Sequence, residues 1–252
     1  MIKNLLRGSV RRFGYDIVEY PLPEWYMLRA GINAIFSDLQ INCVIDAGAN
    51  HGQYGEFLRR MGYKGRIVSF EPVSSSFEEL SARARNDDAW MTYKLAAGTA
   101  KQVLEINVME HDDFSSFLPV SSYGATQFAR AAVVTRSEEV NVVRLDSMIA
   151  EIISGLDAPR IYLKMDTQGY DLQVLDGATG FLPLIQGLQS EISFRPVYDG
   201  MPDYLTSLAK LNALGFSVSS LVPVARDERL RVIELDCLMV RSAECTDSEI
   251  YH

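Results

Sequence analysis

No run of eighteen or more apolar residues occurs in this 252-residue chain, and no basic-then-apolar leader opens it. The sequence is therefore expected to hold neither a spanning helix nor a secretory signal, and to be cytoplasmic. Cysteine is scarce: Cys43, Cys237 and Cys245 offer no pairable framework and no C-x-x-C clip. That argues against a disulfide scaffold, and Cys43 and Cys237 read as small buried hydrophobes in strands. Positive charge is short as well, with 24 Lys and Arg against 33 Asp and Glu and a net charge of -9. A protein held to nucleic acid through phosphates carries a broad basic face, so nucleic acid is not expected as a partner. Repeats, low-complexity tracts and a Pro/Gly/Ser linker are missing too. The expected organisation is an amino-terminal helical extension over 1–40, one domain over 41–241 and a tail over 242–252.

What is present is a hydrophobic content of 48%, ample for one sizeable core. From residue 41 the chain alternates short β-branched apolar runs with segments of helical period: INCVIDAG, GQYGEFLRRMGY, GRIVSFEP, SSSFEELSARARND. Tyr54, Phe57, Leu58 and Met61 form a buried helical stripe that Gly62 should end, and Ser74 to Ser76 read as a capping run. MTYKLAAG reads as a third strand. Between 101 and 145, QVLEINVME and EVNVVRLD alternate apolar and polar residues around a serine-containing stretch, as edge strands flanking a lid or substrate wall. RIYLKMD, the helix YDLQVLDGATGFL, GLQSEIS, a helix ended by Gly215 and two closing antiparallel strands complete an α/β sheet covered on both faces. The basic, amphipathic amino-terminal segment with Lys3, Arg7, Arg11 and Arg12 suits docking on the core or on a second subunit. Peripheral contact with an anionic inner-membrane face is its alternative use.

Ligands in such sheets bind beyond the carboxyl ends of the strands. Those ends hold Asp46 to Gly52, Glu71-Pro72, Ala96-Ala97-Gly98, Asp166 to Gly169, and Glu191. Glu71 lies 23 positions after Gly48, the separation at which a second-strand carboxylate meets the ribose hydroxyls of a bound adenosine. In VIDAGANHGQYG the middle glycine of a dinucleotide signature is replaced by Asn50. Asparagine tolerates left-handed torsions yet brings bulk where a pyrophosphate needs bare N–H groups. Asp46 would repel a phosphate and suit an ammonium or sulfonium. An adenosine with a cationic tail and no phosphate is S-adenosylmethionine.

VIDAGANHGQYG, VSFEPVSSSFEEL, VVRLDSM, KMDTQGYDLQVLDGA, LQSEISFRPVY and LDCLMVR together resemble the FkbM-type S-adenosylmethionine-dependent methyltransferases over about residues 41–241. The resemblance implies the Rossmann-like seven-stranded methyltransferase sheet and methyl transfer mostly onto hydroxyl oxygen, with acceptors in polysaccharide or natural-product pathways. It implies that Asp46, Gly48, Ala49, Asn50 and Gly52 form a first cofactor motif and Glu71-Pro72 a second, and that Asp166 and Gly169 match a D-x-x-G motif. Gln168 stands where many members have glutamate, so no acid-base role is expected of it. Ala97, at the third strand end, joins the expected cofactor contacts.

A hydroxyl acceptor calls for a base as well as alignment. Asp166 is the first candidate and Glu191 the second, with Lys164, two residues earlier on the strand, placed to pair with Asp166. Each has a plainer reading, the first pair as a buried ion pair and Glu191 as a hydrogen-bond partner. Asp112-Asp113 and Ser115-Ser116 are candidate acceptor contacts or simply loop residues, His51 is expected at a helix entry or facing solvent, and His111 with Asp112-Asp113 does not make a metal site, so no metal is expected. A nicotinamide-dependent oxidoreductase and a non-catalytic binding protein of the same fold are the competing classes.

Overall fold

The computed structural model describes residues 24–242. The basic amino-terminal segment and Cys245 lie outside the described residues. Helix α1 (Glu24–Asp38) precedes β1 (Cys43–Ala47), α2 (Gln53–Met61), β2 (Arg66–Phe70), α3 (Ser74–Ala84) and β3 (Trp90–Tyr93). An excursion follows: β4 (Ala96–Ala97), β5 (Gln102–Met109), a 3-10 turn (Asp112–Phe114), α4 (Ser122–Gln127) and β6 (Val134–Val143). Then come α5 (Leu145–Ile152), β7 (Ile161–Met165), α6 (Asp171–Asp176), a 3-10 segment (Thr179–Leu184) and β8 (Ile185–Ser193). Helix α7 (Tyr204–Ala213), β9 (Phe216–Arg226) and β10 (Val232–Arg241) close the chain.

Seven strands form one sheet in the order β3-β2-β1-β7-β8-β10-β9, and β4-β6-β5 form a second. In the large sheet β10 alone runs against its neighbours. The central strands are covered on both faces, which is why they read as continuous apolar runs. Their side chains nevertheless alternate: Cys43, Ile45 and Ala47 pack with Leu163, Met165 and Val174 on one face, whereas Val44 packs with Tyr162, Leu58 and Ile32 on the other. This alternation sends Asp46 and Lys164 to the face covered by α1, α2 and α3.

The excursion is antiparallel where expected, β5 against β6, but it is a separate sheet. MTYKLAAG does not run on as one strand. Strand β2 ends at Phe70 opposite Tyr93, so nothing lies beyond to pair with, and Ala96-Ala97 join Val142-Val143 of β6 instead. The helix expected over YDLQVLDGATGFL also divides. It stops at Gly177, where any Cβ would sit 2.1 Å from the carbonyl oxygen of Gly98, and continues as the 3-10 segment containing Pro183. The serine run does not cap α3 through its own side chains. Val73 holds the cap position, and Glu138 of β6 accepts from the Ser74 N–H at 3.1 Å and from its hydroxyl. Gly62 ends α2 with φ 97, as its position predicts.

Candidate active site

At the carboxyl ends of β1, β2, β7 and β8 the structure encloses a cavity of about 390 Å³. Its first half is built by the turn after β1. Gly48 has φ 77, and a Cβ there would lie 2.0 Å from the carbonyl oxygen of Asp166, so only glycine lets the two strand ends approach. Asn50 takes φ 46, the left-handed region its residue type tolerates, and Gly52 at φ 85 leads into α2.

Four N–H groups of this turn are engaged. The N–H groups of Gly48 and Ala49 both go to the Phe70 carbonyl (3.1 and 3.0 Å), that of Gly52 to Ala49, and that of Asn50 to Oε2 of Glu71 at 2.8 Å. Oε1 of Glu71 accepts from the Val73 N–H, also at 2.8 Å. A pyrophosphate cradle needs free N–H groups, and these four are not free, which adds to the bulk of Asn50 against a dinucleotide ligand. Burial, partly opposed by those two N–H groups, pushes Glu71 up to about 7. The Asn50 side-chain Oδ1 is buried with no partner among the described residues and belongs to the cavity lining. It is a polar atom awaiting a donor.

Strand register brings four residues side by side, Ser69, Asp46, Lys164 and Gln189 on β2, β1, β7 and β8, of which Lys164 and Gln189 form the cavity floor. Trp90 Nε1 donates to Ser69 Oγ (3.0 Å), which donates to Asp46 Oδ2 (3.4 Å). Lys164 Nζ lies 3.1 Å from Asp46 Oδ1, 3.1 Å from the Gly48 carbonyl oxygen and 3.4 Å from Asp166 Oδ2. Burial works against this ammonium, but Asp46 and Asp166 outweigh it and hold the amine protonated. Tyr54 of α2 lies under it, ring centroid 5.3 Å from Nζ, and donates its hydroxyl to Gln189 Oε1. Gln189 in turn donates to Asp236 Oδ1 at 2.8 Å.

Beyond this row lie Asp166, Gln168, Glu191 and Asp236. Glu191 falls within β8 rather than after it, and register sets it opposite Asp236 of β10. Burial, then Glu234, Asp166, Asp236 and Asp171, push Glu191 well above the usual carboxylate range. The turn that carries Asp166 and Gln168 is pinned by buried Asp171, which accepts from the Thr167 N–H and hydroxyl, the Ser190 hydroxyl and the Glu191 N–H.

Of the expected residues, Gly48, Ala49, Asn50, Glu71, Pro72, Ala97, Lys164, Asp166 and Glu191 line the cavity, as do Asp112, Asp113 and Ser115 from the excursion. Asp46 and Gly52 do not. Asp46, expected to meet a cationic ligand, lies fully buried beneath the floor, where its charge is spent on Lys164. Ser116 is buried and donates to the Gln168 carbonyl, fastening the excursion to the β7 turn. His51 faces neither solvent nor cavity alone: its Nε2 sits 2.5 Å from Asp112 Oδ2, which also accepts from Ser76. This ties the 3-10 turn across the start of α2. Among the described residues no group of three or more His, Cys, Asp or Glu could hold a metal ion, and no helix there is long and apolar enough to cross a membrane.

Sequence reading missed Gln189, Asp236, Tyr54 and Trp25 as wall residues. The one available signal was Glu234 and Asp236, two acids at alternate positions of a strand that is otherwise apolar up to Arg241.

A family profile described as methyltransferase FkbM domain matches residues 46–218. No curated protein matches at a significant level. Among solved structures the chain is similar to an rRNA methylase from Streptococcus thermophilus, at 10% identity over 90% of this chain and 99% of that one with a TM-score of 0.46. It is similar also to Aeropyrum pernix fibrillarin solved with natively bound S-adenosyl-L-methionine, at 11% identity over 79% and 66% with a TM-score of 0.43. A third is the precorrin-6y C5,15-methyltransferase of Geobacter metallireducens, at 12% identity over 90% and 94% with a TM-score of 0.42.

Proposed function

Because the chain belongs to the FkbM methyltransferase family, we propose that it transfers a methyl group to a hydroxyl of a neutral, polyhydroxylated acceptor such as a saccharide. S-adenosylmethionine is the methyl donor, and it supplies an electrophilic methyl on a sulfonium. The glycine turn, the Asn50 Oδ1, unpartnered among the described residues, and the carboxylate of Glu71 fit its adenosine, while the engaged N–H groups of Gly48, Ala49, Asn50 and Gly52 are not free for a phosphate.

One observation carries the choice of acceptor. Past the β1 turn the cavity is lined by Asp166, Gln168, Gln189, Glu191 and Asp236, and Lys164, the one basic lining residue among the described residues, is already shared between two carboxylates. Carboxylates and amide oxygens accept from hydroxyls and repel anions. Trp25, half exposed on α1, with Leu28 and Val224, adds an apolar wall against which the face of a sugar ring can lie. Asp166 and Glu191 are the groups that would receive the hydroxyl proton, and the fixed strand ends would hold the acceptor oxygen about 3–3.5 Å from the methyl. This reading places the enzyme in the cytoplasm, in polysaccharide or natural-product tailoring.

The test is incubation with methyl-labelled S-adenosylmethionine and three sets of acceptors: methyl glucoside, galactoside and mannoside; the matching amino sugars; the matching uronates. Label in a base-stable ether of the neutral glycosides is expected. Label confined to the amines or carboxylates would overturn the proposal.

A further inference from the structure

We infer that Glu191 is the base of this site and that Gln168 is the positioning residue that selects it over Asp166. The inference rests on the hydroxyl-methylation reading above.

Gln168 stands in the turn after β7 with φ 51, followed by Gly169 at φ 89, and this left-handed pair folds its side chain back over the strand end. Its amide nitrogen donates to Asp166 Oδ1 at 3.0 Å and to Glu191 Oε2 at 3.1 Å. An amide nitrogen carries two hydrogens, so both are used. Its Oε1 lies 2.8 Å from the Tyr198 hydroxyl, whose single hydrogen is shared with the Phe114 carbonyl oxygen, also at 2.8 Å, so it is the two carboxylates that set which way the amide points. Turned end for end, Gln168 would aim an oxygen at two carboxylates.

The consequence differs for the two acids. Asp166 has Oδ1 bound by Gln168 and Oδ2 facing the Lys164 ammonium at 3.4 Å, so both of its oxygens are already engaged. Glu191 has only Oε2 engaged. Its Oε1 receives no donor from the described residues, and the residue lines the cavity. The groups around Glu191 are mostly acidic: Glu234 and Asp236 from β10, Asp171 from α6, Asp166 from the β7 end, with the Tyr198 phenol beyond. Such surroundings strengthen a carboxylate as a base. In the transfer the acceptor oxygen forms its bond to the methyl carbon as the sulfur–carbon bond breaks. That bond's electron pair stays on sulfur, giving the neutral thioether, and the hydroxyl proton passes to Oε1 of Glu191.

Glutamine suits position 168 because it can donate twice without carrying charge. A glutamate there would set a third carboxylate against two others.

Two measurements decide the matter, both on the full chain. The first needs no acceptor: carboxyl-carbon NMR titration of Glu191, assigned by difference from Glu191→Gln, with S-adenosylhomocysteine bound. Gln168→Leu is expected to raise the Glu191 midpoint by about one pH unit or more, because the donor to the ionised form is gone. An unmoved midpoint overturns the role of Gln168.

The second is methyl transfer to the neutral glycosides. Glu191→Gln should lose roughly 10²- to 10⁴-fold in kcat while S-adenosylhomocysteine affinity stays within about twofold. Asp166→Asn should lose less, and the isosteric Gln168→Glu should shift the acidic limb of the pH–rate profile upward. A Glu191→Gln enzyme within about threefold of wild type overturns the assignment of the base. If the wild-type chain methylates no neutral glycoside, the acceptor reading fails, and the NMR titration still decides whether Gln168 holds Glu191.

Discussion

The main-chain N–H of Asn50 meets Oε2 of Glu71 across 2.8 Å. The anion position beside the first turn is thus taken by a carboxylate the chain itself supplies. Adenosine hydroxyls bond that carboxylate most strongly while it is ionised, and burial pushes its midpoint up to about 7. The ionised form dominates above the midpoint, so affinity for S-adenosylhomocysteine is expected to fall as pH drops through it. The slope is at most about tenfold per pH unit. Calorimetry across this range should show the slope in wild type and a flat response in Glu71→Gln; an equally steep response in the variant would remove Glu71 from the ligand.

Gly48→Ala is expected to be among the most damaging small substitutions. Its Cβ would meet the Asp166 carbonyl oxygen at 2.0 Å, a backbone atom that cannot swing aside, and φ 77 disfavours any side chain. A loss of roughly 2–4 kcal/mol is expected in urea unfolding, together with loss of S-adenosylhomocysteine binding. Unchanged stability and binding would mean that the strand ends are looser than described.

Lys164→Met leaves Asp46 charged and fully buried without its cation. Removing one partner of such a pair costs about 3–5 kcal/mol. The double variant Asp46→Asn, Lys164→Met removes the stranded charge and should recover much of the loss. A double variant as unstable as the sum of the two single ones would show that the residues do not act as a pair.

Glu234 is buried, accepts from the Ser193 hydroxyl, and is pushed by burial from its ordinary 4.5 to about 7. A carboxyl whose folded midpoint is raised contributes stability that is present below its unfolded value and lost as pH rises through the folded one. Glu234→Gln keeps an acceptor for Ser193 and cannot ionise. It should be more stable than wild type above pH 7 by up to about 3 kcal/mol, with the difference vanishing near pH 4. Thermal midpoints measured across that range check the sign.

The part of the cavity proposed for the cofactor was legible as a turn because it is local. Gly48, Asn50 and Glu71 are fixed by one turn and the next strand end, and turn chemistry is written in residue types. The seven-stranded sheet followed from alternation and from the family resemblance. The acceptor half was not legible in the same way. Asp236 meets Glu191 only through the register of two antiparallel strands, and Gln189 joins Lys164 only through a parallel one, 25 residues on. Gln168 looked like a lost acid when read alone; its two carboxylate partners come from different strand ends. The division of MTYKLAAG was hidden because an apolar run does not say which sheet each half will join.

That division has an evolutionary consequence. The chain leaves the large sheet after Tyr93 and returns to its fold at α5, and the pairing of Ala96-Ala97 with Val142-Val143 closes the base of the detour between them. Insertions, deletions or wholesale replacement inside that detour can remodel one wall of the chamber while the strands that carry Gly48, Glu71 and Lys164 keep their register. On the proposed reading, such a lineage could trade one acceptor for another without relearning how to hold its methyl donor.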